Sequence, residues 1–160
     1  MSDIPLNKNG EVIRPSWDKY FMSIANIVRT RSTCVRRQVG AVLVNDKHQI
    51  ISTGYNGVPR NIRHCTIANC PKLHEKSGER NDLCPAVHAE LNAIIQAATA
   101  SFSPEGATLY TTTRPCSSCT KAIINAGIKR VVFTQDYTDP LLRSGWLNTD
   151  EVNFELYKQK

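Results

Sequence analysis

Two short motifs in this sequence place metal-binding and proton-transferring side chains at spacings that suit catalysis. In Pro115-Cys116-Ser117-Ser118-Cys119 two thiols stand three positions apart, and in His88-Ala89-Glu90 an imidazole stands two residues before a carboxylate. Each motif falls where a helix is expected to begin. Thiols so spaced on a first helical turn can point to one metal ion, and the amide dipoles there favour their anionic form. One imidazole and two thiolates suit Zn2+, and three protein ligands leave a fourth position for solvent, the mark of a catalytic rather than a structural site. Zinc lowers the pKa of water from about 15.7 to roughly 7. Glu90 lies beside such an ion without having to ligate it and can carry a proton from water to a departing group. His88, Cys116 and Cys119 are therefore the expected ligands of a catalytic Zn2+, with Glu90 the catalytic acid and base. A lone C-x-x-C can be half of a structural site or a redox pair, and a lone H-x-E a surface helix start. Their joint occurrence selects the catalytic reading.

The elements that must hold these groups are legible in the hydrophobic pattern. Trp17, Tyr20, Phe21, Ile24 and Val28 recur at helical spacing and predict a helix over 16–31, capped by Ser16. Two β-rich runs, 39–44 and 49–55, flank Asn45-Asp46-Lys47-His48 and read as a hairpin. Further strands are expected at 107–112 and 130–134. Helices are expected at 88–100 and at 116–126, the latter stopped by Gly127, with a short helical tail over 140–147. This order predicts a three-layer α/β/α sandwich with a mixed sheet. The stretch 57–87 departs from the pattern. It carries Pro59, Pro71, Gly78 and Pro85, shows no periodicity, and is long for a structureless loop.

The 160 residues fit one domain, 1–160, with 41% apolar and 21% charged residues. No run approaches the roughly 18 apolar residues of a membrane span, and the polar start of the chain lacks the apolar core of a secretory signal. An intracellular, cytoplasmic protein is expected. The formal charge of +6 suits an anionic partner such as a nucleotide phosphate. No block of like charges marks a nucleic-acid tail, and no nucleic acid partner is expected.

His88-Ala89-Glu90-Leu91-Asn92-Ala93-Ile94 joins several other segments in a wider resemblance. They are Val39-Gly40-Ala41-Val42, Gly54-Tyr55-Asn56-Gly57, Thr108-Leu109-Tyr110 and Ala126-Gly127-Ile128-Lys129. Over about 17–137 the chain is similar to the deoxycytidylate (dCMP) deaminases of the cytidine deaminase-like superfamily. The resemblance implies hydrolysis of dCMP to dUMP with release of ammonia, supplying thymidylate synthesis; the residues leave open whether the monophosphate or the triphosphate, dCTP, is preferred. It also implies that Asn56 binds the deoxyribose and that the backbone at Ala89 holds the base edge. Tyr137 packs either near the substrate or in the core. Arg114 meets the phosphate or is simply solvated. Family members are often hexamers activated by dCTP and inhibited by dTTP, with Mg2+ accompanying a nucleotide effector. Gln96-Ala97-Ala98-Thr99 departs from some of them.

Cys34, Cys65, Cys70 and Cys84 remain. Four thiolates make a closed tetrahedral site, which would staple a loop that lacks apolar anchors. His64 or His74 could replace one of them, and scattered free thiols are the plain alternative. Some relatives carry a second zinc here, and Cys34 and Cys65 fall at matching places. Three rival functions share the main motif. They are a tRNA adenosine deaminase, a riboflavin-pathway pyrimidine deaminase, and a non-catalytic zinc-binding or competence-associated interaction protein. The long 57–87 loop and Gly54-Tyr55-Asn56-Gly57 speak against the first. The spacing within the Pro-Cys motif speaks against the second, and the retention of Glu90 against the third.

Overall fold

Five strands make one mixed sheet in a computed structural model that describes residues 4–158. They are β1 (Gly40–Val44), β2 (Ile50–Tyr55), β3 (Thr108–Thr113), β4 (Arg130–Gln135) and β5 (Asn153–Leu156). Their spatial order is β2-β1-β3-β4-β5. β1 is antiparallel to both β2 and β3, whereas β3, β4 and β5 run parallel. The helices are α1 (Trp17–Val28), α2 (Ala89–Thr99), α3 (Ser117–Asn125) and the single turn α4 (Pro140–Arg143).

Strand alternation divides the core into two. Ala41, Leu43, Leu109, Val131 and Phe133 face α2 and α3, where they meet Ala89, Ala93, Ala97 and Ile123. Their neighbours Val42, Val44, Tyr110 and Val132 point the other way, onto Phe21, Met22 and Ala25 of α1. The result is the expected α/β/α sandwich, with α1 alone on one face.

Two glycines let the helices come this close. A β-carbon at Gly54 in β2 would lie 2.1 Å from the Ala89 carbonyl oxygen and 2.5 Å from the Ala93 nitrogen. On the adjoining strand, one at Gly40 would lie 2.2 Å from the Ala25 carbonyl oxygen. The backbone of α2 therefore rests directly on β2, and its small residues at 89, 93 and 97 complete the fit.

Several sequence-based expectations need correction. The first helix ends at Val28 and continues only as a 3₁₀ turn over Arg29–Arg31. Trp17 and Tyr20 share the apolar spacing but are 50% and 45% exposed, and Trp17 stacks on His48 with ring centroids 4.3 Å apart. The expected helical tail over 140–147 shortens to Pro140–Arg143. Beyond it runs β5, which the hydrophobic pattern did not reveal. Asn153-Phe154-Glu155-Leu156 offers only two apolar residues, and the strand lies at the sheet edge. An ion cluster ties it in. Arg130 of β4 donates to both carboxylate oxygens of Asp18 in α1, at 2.8 and 2.9 Å, and to Glu155 of β5 at 3.1 and 2.5 Å.

The 57–87 segment is mostly irregular, with one 3₁₀ turn at Asn81–Leu83. Its ends are joined, however. The Gly57 amide donates to the Val87 carbonyl at 3.1 Å, and the Val87 amide to that of Gly57 at 2.9 Å.

Two outcomes are expected. Gly54→Ala should cost about 3 kcal/mol, the upper range for overpacking, and shift α2, as read by urea denaturation. The Arg130 hydrogen bonds hold the Asp18 carboxyl below its ordinary value against the opposing effect of burial. Its stabilisation is then present above the unfolded pKa of about 3.9 and lost as pH falls through the lower folded value. Asp18→Asn should cost about 1–2 kcal/mol at pH 7. The gap from wild type should narrow below about pH 4 in parallel denaturation curves.

Candidate active site

Both motif helices begin on the same face of the sheet. His88 has extended backbone (φ −73°, ψ 156°) and occupies the N-cap position of α2, so Glu90 falls in the first turn. Cys116 occupies the same position of α3, with φ −71° and ψ 170°, and Cys119 follows one turn on. The close seating of α2 on β2 and the short Arg114-Pro115 link from β3 to Cys116 bring the two N-termini together.

His88 Nδ1 lies 3.3 Å from Cys116 Sγ and 3.4 Å from Cys119 Sγ. Cys119 Sγ is 3.7 Å from Glu90 Oε2. The three ligand atoms lie within 4.8 Å of one another, and among the described residues no other group of three His, Cys, Asp or Glu side chains does so. One nitrogen facing two buried sulfurs is a donor set that fits Zn2+, with Nδ1 as the imidazole ligand. Glu90 stands beside the set and is only 4% exposed.

The electrostatics follow from this crowding. The Cys119 thiol donates to Cys116 and, with His88, outweighs the cost of burial, drawing the Cys116 thiol down to about 4. Cys119 is pushed up by Cys116, by burial and by Glu90. The Cys116 contact raises His88 despite burial. Glu90 is raised by burial, so its carboxyl holds a proton more readily than a solvated one.

One supporting residue escaped the sequence reading. Buried Asp139 accepts from the Ser117 amide at 2.8 Å, bracing the first turn of α3 next to Cys116. Its other oxygen accepts from Leu142 at 3.0 Å and caps α4. Burial pushes the Asp139 carboxyl up, but the amides of Ser117 and Leu142 outweigh it and hold it below its ordinary value. Asp139-Pro140 is a helix-start signature, which could have marked the cap but not the reach to α3.

A cavity of about 210 Å³ opens over His88, Glu90 and Cys116. Ala89, Asn56, Tyr137 and Arg114 all line it. Asn56 is tightly engaged. Its Oδ1 accepts from Ser32 Oγ at 2.7 Å and from the Val39 amide at 2.8 Å, and its Nδ2 donates to the Arg37 carbonyl at 2.8 Å. Asn56 thus shapes the 32–39 wall and has one N–H left. Tyr137 is not a core residue. Its hydroxyl accepts from Asn81 Nδ2 at 3.4 Å, which connects the end of β4 to the 57–87 loop. Arg114 pairs with Asp136 at 3.4 Å, and its guanidinium lies 5.6 Å from the centre of the Phe133 ring.

Cys34, Cys65, Cys70 and Cys84 line the same cavity. Burial and then the nearby Cys70, Cys84 and Cys34 push the Cys65 thiol up. The four are neighbours, but among the described residues no three of them, with or without His64 or His74, approach as closely as the His88 set.

A buried N,S,S donor set and a free carboxylate delivered by two helix starts are the layout of the zinc-dependent deaminase class. The family described as "Cytidine and deoxycytidylate deaminase zinc-binding region" matches residues 15–135, and the chain belongs to it. It is 40% identical over 92% of its length to the deoxycytidylate deaminase of Saccharomyces cerevisiae, and spans 43% of that protein. The deoxycytidylate deaminase of Mycobacterium phage D29 is 39% identical over 77% of the chain, which covers 98% of the phage protein. Among solved structures, the dCMP deaminase of cyanophage S-TIM5 in complex with dCMP and dUMP aligns with a TM-score of 0.70. It is 28% identical over 91% of this chain and 99% of its own.

Asp139→Ala should cost about 1–2 kcal/mol through its two lost caps. It should also loosen the Cys116 side of the metal site. Thermal denaturation and the rate of zinc loss to a chelator check both effects.

Proposed function

We propose that this chain hydrolyses dCMP to dUMP and ammonia. The observation that carries this reading is the buried, unligated Glu90 beside the His88, Cys116 and Cys119 set. Support for the substrate comes from the relatives named as deoxycytidylate deaminases and from the S-TIM5 enzyme solved with dCMP and dUMP.

When bound, zinc supplies the Lewis acidity that makes hydroxide available near neutral pH. His88, Cys116 and Cys119 would hold the ion. Glu90 takes a proton from water onto its carboxylate and gives it to the ring nitrogen next to the amine-bearing carbon; it then takes the proton of the hydroxyl added at that carbon and passes it to the amine, which leaves as ammonia as the carbonyl forms. Burial suits Glu90 to this exchange by raising its proton affinity. The backbone at Ala89, at the start of α2, meets the base edge. The remaining Asn56 N–H meets the deoxyribose, and Tyr137 closes the cavity from the loop side.

The same family likeness leads us to propose a reducing, intracellular setting, consistent with six free cysteines. No helix among the described residues is long and apolar enough to cross a membrane. A homohexamer with dCTP and dTTP as opposing effectors, and Mg2+ with the effector, completes the proposal. The gathering of Cys34, Cys65, Cys70 and Cys84 supports a second, structural zinc once the 57–87 loop tightens around it.

Three measurements test these points. Glu90→Gln should retain zinc and lower kcat by a factor of about 10² to 10⁴ or more, whereas Cys116→Ala should also lose the metal. Elemental analysis of undialysed protein should return two zinc ions per chain, and a single ion would remove the second site. In an ultraviolet assay against dCMP, dCTP, deoxycytidine and a tRNA anticodon loop, dCMP should turn over fastest. Turnover of the RNA alone would overturn the substrate.

A further inference from the structure

The 57–87 loop places a lysine where a bland connection would not. Lys72 is 6% exposed and lines the same cavity as Glu90 and His88. A buried ammonium is costly unless an anion or several acceptors meet it. Here Nζ donates to the neutral side-chain oxygen of Asn81, and among the described residues no carboxylate lies within 4.0 Å of it. The nearby acid Asp82 pairs instead with Arg80 at 3.4 Å. An ammonium has three donors, so Asn81 leaves two unused.

The rest of the wall increases the imbalance. Arg36 lines the cavity, and its guanidinium donates to the Glu75 carbonyl, again a neutral acceptor. Four cationic residues, Arg36, Arg37, Lys72 and Arg114, border the cavity against the one carboxylate of Glu90. Arg114 is already paired with Asp136. Arg36 and Arg37 are exposed to solvent, so the buried positive charge of this wall is that of Lys72 in the 57–87 loop.

We infer that Lys72, assisted by Arg36, receives the 5′-phosphate of the nucleotide, so that the 57–87 loop reads the phosphorylation state of the substrate. A phosphate offers the anionic oxygens that the open ammonium donors and the guanidinium need. Asn81 acts as a positioning residue that aims Lys72. The inference rests on the nucleotide deaminase reading above. Its competitor is that Lys72 offsets the charge of a metal-loaded cysteine cluster.

The test uses the full zinc-loaded chain, with steady-state kinetics on dCMP and on deoxycytidine, zinc content, and calorimetric binding of dUMP and inorganic phosphate. Lys72→Gln should lower the ratio of kcat/KM for dCMP to that for deoxycytidine by about 10- to 100-fold, the loss of a charge-assisted hydrogen bond. Most of it should appear in KM, dUMP and phosphate should bind correspondingly more weakly, and zinc should stay at the wild-type level. Lys72→Arg should recover part of the ratio. An unchanged ratio, or a loss of zinc in step with activity on both substrates, would overturn the assignment. A wild-type protein that deaminates neither compound would reject the activity itself. Equal dUMP affinity of wild type and Lys72→Gln would still reject the phosphate site on its own.

Discussion

The site exists because two helices start at the same place, and they can do so only because one of them lies directly on the sheet. The Ala89 carbonyl oxygen occupies space that any side chain at position 54 would need. That contact sets the height of α2 and so the positions of His88 and Glu90. On the facing side, Asp139 holds the first amide of α3 and so the direction of Cys116 and Cys119. The metal ligands themselves are local, but their convergence is a property of the tertiary packing. An ion bound there would be assembled by the fold rather than by either motif alone.

How much of this was readable from residues depended on the range of each interaction. His88, Glu90, Cys116 and Cys119 could be assigned because the chemistry of each pair is set within a few positions. The order of strands and helices was equally plain, since the apolar runs of β1 and β4 and the helical spacing in α1 are local patterns, whereas which strand residue faces which helix was not. The signals that failed were those that depend on distant partners. β5 is held by Glu155 reaching Arg130, an ion pair across 25 positions, rather than by a run of apolar residues. Asp139 serves α3 from 22 positions away. Trp17 and Tyr20 fit the apolar stripe of α1 yet stay exposed, because spacing does not show where the sheet ends. The burial of Lys72 is likewise visible only in three dimensions.

Four cationic side chains and one carboxylate line the cavity. Glu90 is buried next to Cys119, and burial raises its proton affinity. Lys72 and Arg36 donate to neutral acceptors, whereas Arg114 pairs with Asp136. Asn56 spends most of its hydrogen-bonding capacity on the Ser32 hydroxyl and on the Val39 and Arg37 backbone, which fixes the 32–39 wall of the cavity.

The paired amides of Gly57 and Val87 carry a consequence for how such proteins diversify. A segment whose two ends meet is topologically a side branch. Residues can be gained or dropped inside it without moving β2 or α2, and doubling its length adds only about 0.6 kcal/mol of closure entropy. The scaffold that holds the site can therefore stay constant while the branch is rewritten to accept a ligand of another size or charge.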